Sequence, residues 1–130
     1  MIYDGECGLC DATVQRLLRW DKARVLRYTP NQGETFAALS QVFDAPEPGS
    51  TVYFLERDGG RWRLHERSRA IFAICARLGW PYKALSWLRI IPRFLTDAGY
   101  RLVARFRIRI WGKVDACRLP SPGERALFLP

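Results

Sequence analysis

Cys7-Gly8-Leu9-Cys10 is the part of this chain whose residue types and spacing suit chemistry. Two residues between the cysteines let the sulfurs bond across one helical turn, so the pair can cycle between dithiol and disulfide. A metal is the competing use of a Cys-x-x-Cys. Structural zinc sites draw four Cys or His ligands, usually from a second pair, and here the second pair is missing. Cys75 falls in an apolar helical stretch, Cys117 stands alone, and His65 alternates within a strand pattern. The composition therefore points to redox use with no bound cofactor and no metal.

The elements that must position the pair follow from the flanking pattern. Met1-Ile2-Tyr3 is a short apolar run ended by Asp4-Gly5, and Cys10, Val14, Leu17 and Leu18 then recur at helical spacing to about Trp20. This predicts a strand, a tight turn and a helix whose first turn carries the cysteines. A helix start favours a thiolate, through its unpaired N–H groups and the positive end of its dipole. Cys10 shares the apolar stripe and is expected to be buried, whereas Cys7 at the turn is expected to be exposed. That assigns Cys7 as attacking nucleophile and Cys10 as resolving thiol. Asp4 has two readings: acceptor of the Cys10 proton during resolution, or acceptor of backbone N–H groups in the turn.

Further along, Val25 to Thr29 alternates as a strand, and Glu34 to Phe43 reads as a helix. Thr51 to Leu55 and Trp62 to His65, separated by Asp58-Gly59-Gly60, make a β-hairpin. Ser68 precedes an apolar helix closed by Gly79 and Pro81, and stands where an N-cap belongs. Further helices are expected at Tyr82 to Leu88 and Phe94 to Trp111, and the tail beyond Lys113 reads as irregular. The order β-α-β-α-β-β-α is that of a thioredoxin-like α/β fold. Residues 1–130 then form a single domain with a helical C-terminal extension from about residue 82.

In such a fold Arg67-Ser68-Arg69 would lie at the edge of the sheet that carries the motif. A capped helix start with two arginines suits the carboxylate of a low-molecular-weight thiol such as glutathione, and equally an ordinary capped helix with solvated arginines. Cys117, flanked by Arg118 and Lys113, is either a third redox thiol or a buried anchor of the tail.

Composition sets the outer limits. The chain has 130 residues, 48% hydrophobic and 26% charged, which suits a folded protein with its own core. Four cysteines and no signal-peptide pattern favour a reducing, cytoplasmic setting. Residues 1–56 hold 5 Lys/Arg against 8 Asp/Glu, while residues 57–130 hold 16 against 5. The alternative to a redox enzyme is a non-catalytic binding module whose basic half makes peripheral contact with an anionic membrane surface or a protein partner, and Trp80, Trp87 and Trp111 interleave there with Arg89, Arg93 and Arg101. Core packing is the expected place of those tryptophans. No nucleic-acid-binding motif accompanies the charge.

Tyr3-Asp4-Gly5-Glu6-Cys7-Gly8-Leu9-Cys10 resembles the Asp-x-x-Cys-x-x-Cys signature of the DCC family of predicted thiol-disulfide oxidoreductases. Ser68-Arg69-Ala70, Tyr100 to Arg105, Arg107, and Gly112 through Pro120 are similar to that family's later segments, with Phe106 where an Asn is expected. The resemblance implies a thioredoxin-like fold and carries Asp4, Cys7 and Cys10 over as signature residues, but implies little about substrate; the dithiol chemistry itself calls for a disulfide-containing protein or a low-molecular-weight thiol as partner.

Overall fold

The computed structural model describes residues 1–43, 51–113 and 120–130. Strand β1 (Ile2–Tyr3) leads through the Asp4-Gly5 turn into α1 (Gly8–Trp20), then β2 (Thr29–Pro30) and α2 (Glu34–Phe43). The hairpin of β3 (Tyr53–Asp58) and β4 (Arg61–Glu66) follows, then α3 (Arg67–Arg77), a 3₁₀ helix (Tyr82–Ile90) and the long α4 (Arg93–Trp111). The sheet order is β2-β1-β3-β4, with β1 parallel to β2 and antiparallel to β3. This is a thioredoxin-like α/β arrangement.

Alternation along the strands sends neighbouring residues to opposite faces of the sheet. Tyr3 and Phe54 pack with Cys10, Val14 and Leu17 of α1 and with Ala70, Ala73 and Ile74 of α3. Ile2 and Tyr53 face Phe36 of α2. The hairpin closes through Gly59 and Gly60, both at positive φ (56° and 83°), as the two-residue turn between Asp58 and Arg61 requires.

The second strand is shorter than the alternation of Val25 to Thr29 predicts. Both carboxylate oxygens of buried Asp21 are occupied by the backbone there, accepting from Val25 N at 3.1 Å and Leu26 N at 2.8 Å. Tyr28 then pairs outward with the C-terminal tail, its N–H donating to Leu127 O (2.9 Å) and its carbonyl accepting from Leu129 N (2.8 Å). Pairing with β1 begins only at Thr29. The tail beyond Pro120 is thus tied down, with Leu127 buried in the main core.

Candidate active site

Cys7 occupies the N-cap of α1, with extended backbone angles (φ −98°, ψ 116°), and its carbonyl accepts the first helical hydrogen bond from Asp11 N (3.0 Å). Cys10 stands in the first turn on the buried side. Both thiols are free and both are buried, at 1% and 6% exposure. The expected exposure of Cys7 is not what the structure shows. The end of α4 covers it: Cys7 forms an antiparallel bridge with Lys113, and Gly8 N donates to Gly112 O at 3.3 Å. Gly8 permits that approach, because a Cβ there would lie 2.7 Å from Trp111 O.

Asp4 is held in place by several contacts. Its Oδ1 accepts from Glu6 N (3.0 Å) and Gln32 Nε2 (3.3 Å), which is the turn-building role, and its Oδ2 pairs with Arg107 Nη2 at 3.0 Å. Arg107 is buried, and its Nη1 reaches to 3.9 Å from Cys10 Sγ. The arginine therefore bridges the signature aspartate and the second cysteine. Sequence reasoning placed it only within a resembling segment, without a role. A signal was present, since Arg101, Arg105 and Arg109 recur at intervals of four and Arg107 falls out of that register, on the core-facing side of the helix.

Burial pushes the Cys10 thiol up to about 12, and the neighbouring Cys7 adds to the rise through its charge and a side-chain hydrogen bond. The Arg107 charge and a hydrogen bond with the Asp4 backbone oppose it. Cys10 is thus held as a protonated thiol at neutral pH, and the Arg107 charge and the Asp4 backbone are the contacts that favour its thiolate. Beside it lies an apolar cavity of about 320 Å³ whose lining includes Leu9, Cys10, Ile71, Phe72, Val103 and Arg107. Tyr100, also on that wall, accepts from Val52 N at 3.0 Å and fastens α4 to the start of β3.

The structure separates Arg67, Ser68 and Arg69. Ser68 is not the N-cap of α3, a position taken by Glu66. Its hydroxyl is buried, donating to Asp97 Oδ1 at 2.6 Å and lying 3.1 Å from Thr96 Oγ1. Arg69 turns toward the 3₁₀ helix, donating to Arg89 O (3.3 Å). Arg67 instead lines a cleft of about 300 Å³ with Thr51, Tyr100, Arg101 and Arg105. Cys75 is buried on α3, and its thiol is raised by burial. His65 is paired with Glu56 at 2.8 Å across the hairpin. Cys117 lies outside the described residues, and among those residues no group of three or more His, Cys, Asp or Glu is placed to hold a metal ion.

Residues 1–113 match the model of the DCC1-like thiol-disulfide oxidoreductases. The chain belongs to that family. Its relatives include the uncharacterized protein YuxK of Bacillus subtilis (strain 168), 27% identical over 130 residues, covering 100% of this chain and 93% of the relative. A second is the DCC family protein At1g52590, chloroplastic, of Arabidopsis thaliana, 31% identical over 121 residues, covering 92% of this chain and 68% of the relative. No solved structure matches the chain. The family's matched span takes in both cysteines, Asp4 and Arg107, and so the whole of the site described above.

Proposed function

We propose that this DCC1-like protein exchanges disulfides through Cys7 and Cys10. The Cys7 thiolate attacks a substrate disulfide, forming a mixed disulfide and expelling one substrate sulfur as a thiolate. Cys10 then gives its proton to that departing thiolate and attacks Cys7 Sγ, which breaks the mixed disulfide, releases the second substrate sulfur as a thiolate and leaves a Cys7–Cys10 disulfide. Two electrons pass from the protein to the substrate, and the reverse sequence oxidises a dithiol. The observation that carries this reading is the Asp4–Arg107–Cys10 arrangement at the start of α1. It places a fixed positive charge where the Cys10 thiolate must form.

Asp4 serves this scheme as the partner that orients Arg107, and Cys7 leads because Cys10 holds its proton. The covering of Cys7 by Gly112 and Lys113 requires that end of α4 to move before a disulfide reaches it. On the substrate side, the Arg67 cleft takes a carboxylate of a low-molecular-weight thiol or of a protein partner, in place of the site drawn from Arg67, Ser68 and Arg69 together.

Reduction of insulin disulfides and of glutathione disulfide, followed for the wild type, Cys7→Ser and Cys10→Ser, tests the reading. The wild type is expected to turn over, Cys7→Ser to be inactive, and Cys10→Ser to trap a mixed disulfide on Cys7. Exchange that persists in Cys7→Ser would refute the scheme.

A further inference from the structure

The strongest feature that thiol exchange leaves unused is the outer surface of the 3₁₀ helix and α4. Core packing does not account for the tryptophans here. Trp87 is 64% exposed, Ile90 88% and Phe94 69%, and Trp80, Ile110 and Trp111 are exposed as well. Solvent-facing apolar residues this dense mark a surface that meets something other than water. Both helices pack on α3.

The helical period shows how that surface is arranged. On α4 the buried side carries Asp97 and Arg107. Leu95, Leu102, Phe106 and Ile110, at spacings of seven, four and four, fall together on an exposed side, and all four are solvent-facing. Arg101, Arg105 and Arg109 run alongside as a parallel exposed row. An apolar row flanked by long cationic side chains, with tryptophans nearby, is the composition of a helix lying in a lipid headgroup layer, where arginine stems lie on apolar surface and their guanidiniums meet phosphates.

Charge decides which occupant fits. From Trp80 to Lys113 the chain carries eight Lys/Arg and one acidic residue, Asp97, which is buried and paired with Arg93 at 3.3 Å. Among the described residues no carboxylate pairs with Lys83, Arg89, Arg101, Arg105 or Arg109. Two copies of such a face would repel each other. No helix among the described residues is long and apolar enough to cross a membrane, so contact is along the surface. We propose that the 3₁₀ helix and the outer face of α4 dock the protein on an anionic lipid bilayer. The apolar row enters the headgroup layer and the basic residues meet lipid phosphates.

Co-sedimentation of the purified full chain with phosphatidylcholine vesicles, with and without phosphatidylglycerol, tests this without reference to thiol exchange. Binding is expected on the anionic vesicles, and it should weaken at high salt. Arg89→Glu with Arg109→Glu should cut the apparent affinity roughly tenfold or more, and Trp87→Ser with Ile110→Ser should also weaken it. These side chains are exposed, so both double variants should keep the wild-type circular dichroism and the wild-type rate of insulin reduction. Equal binding to neutral and anionic vesicles would overturn the proposal. So would folded variants that bind like the wild type. Reversible self-association abolished by the Trp87/Ile110 variant, without vesicle binding, would assign the face to a second copy. Retention on an acidic polypeptide but not on vesicles would assign it to a protein.

Discussion

Arg107 Nη2 lies 3.0 Å from Asp4 Oδ2, although the two residues are 103 positions apart in the chain. The pair joins the C-terminal part of α4 to the turn that presents Cys7. Because Arg107 also approaches Cys10 Sγ, a single side chain couples the last long helix to both ends of the Asp-x-x-Cys-x-x-Cys motif.

Replacing Arg107 by Met should expose the value of that coupling. Asp4 would be left partly buried without its cation, and the expected cost is about 2–3 kcal/mol, below the range for fully buried pairs because Asp4 keeps some solvent. Urea unfolding measures it. The resolving step should also slow, because the charge that lowers the Cys10 thiol is gone, and its pH profile should move to higher pH. Arg107→Lys keeps the charge but cannot fork between Asp4 and Cys10, so it should recover stability better than rate. A resolving rate with an unchanged pH profile in Arg107→Met would show that the arginine is structural only.

The Cys10 thiol should leave its mark on alkaline stability. Its folded value is raised above the unfolded one, and its acid form is the neutral one. Between an unfolded value near 9 and the folded value near 12, the folded state therefore holds more protons. Stability from this group is complete below pH 9 and is lost as pH climbs from there toward 12. Urea midpoints measured across that range, wild type against Cys10→Ser, should show a steeper fall for the wild type. Parallel curves would mean that Cys10 titrates alike in both states. Iodoacetamide at neutral pH should accordingly modify Cys7 before Cys10, with peptide mass spectrometry as the readout.

Gly8→Ala tests the cover over Cys7. The added Cβ would meet Trp111 O at 2.7 Å, and a backbone carbonyl at a helix end cannot rotate away as a side chain can. The expected result is a loss of about 1–3 kcal/mol, as for other overpacked sites, with faster alkylation of Cys7 as the end of α4 lifts. Unchanged alkylation at a normal stability would show that Gly112 and Lys113 do not limit access.

Local pattern made much of the fold legible. The stripe of Cys10, Val14 and Leu17 does line the core side of α1, and Asp58-Gly59-Gly60 does turn a hairpin, since each depends only on neighbours in sequence. The errors arise from distant partners. The cover over Cys7 is supplied by Gly112, the outward pairing of Tyr28 by Leu127 and Leu129, and the bridge to Cys10 by Arg107. The exposed tryptophans failed for a related reason. Periodicity shows that a helix has an apolar side, but α4 has a buried side and an apolar side that differ, and sequence alone does not say which one the core takes.

Ser68 separates a structural reading of the α3 start from a substrate-binding one. Burial works against the Asp97 carboxylate, yet the hydrogen bonds from Ser68 and Arg93, with the charges of Arg93 and Arg67, outweigh it and hold the group below its usual range. Ser68→Ala removes the 2.6 Å donor and leaves a buried carboxylate short of one partner, a loss of about 1–3 kcal/mol. The sign with pH follows from the lowered value. Asp97 contributes stability above its unfolded value, near 3.9 for an ordinary aspartate, and that contribution disappears as pH falls through the folded value. The difference between wild type and Ser68→Ala should therefore be full at neutral pH and shrink in acid, as followed by urea unfolding across that range. KM for glutathione disulfide should stay near the wild-type value in Ser68→Ala, and rise in Arg67→Ala. A raised KM in Ser68→Ala, at unchanged stability, would return the serine hydroxyl to the substrate site.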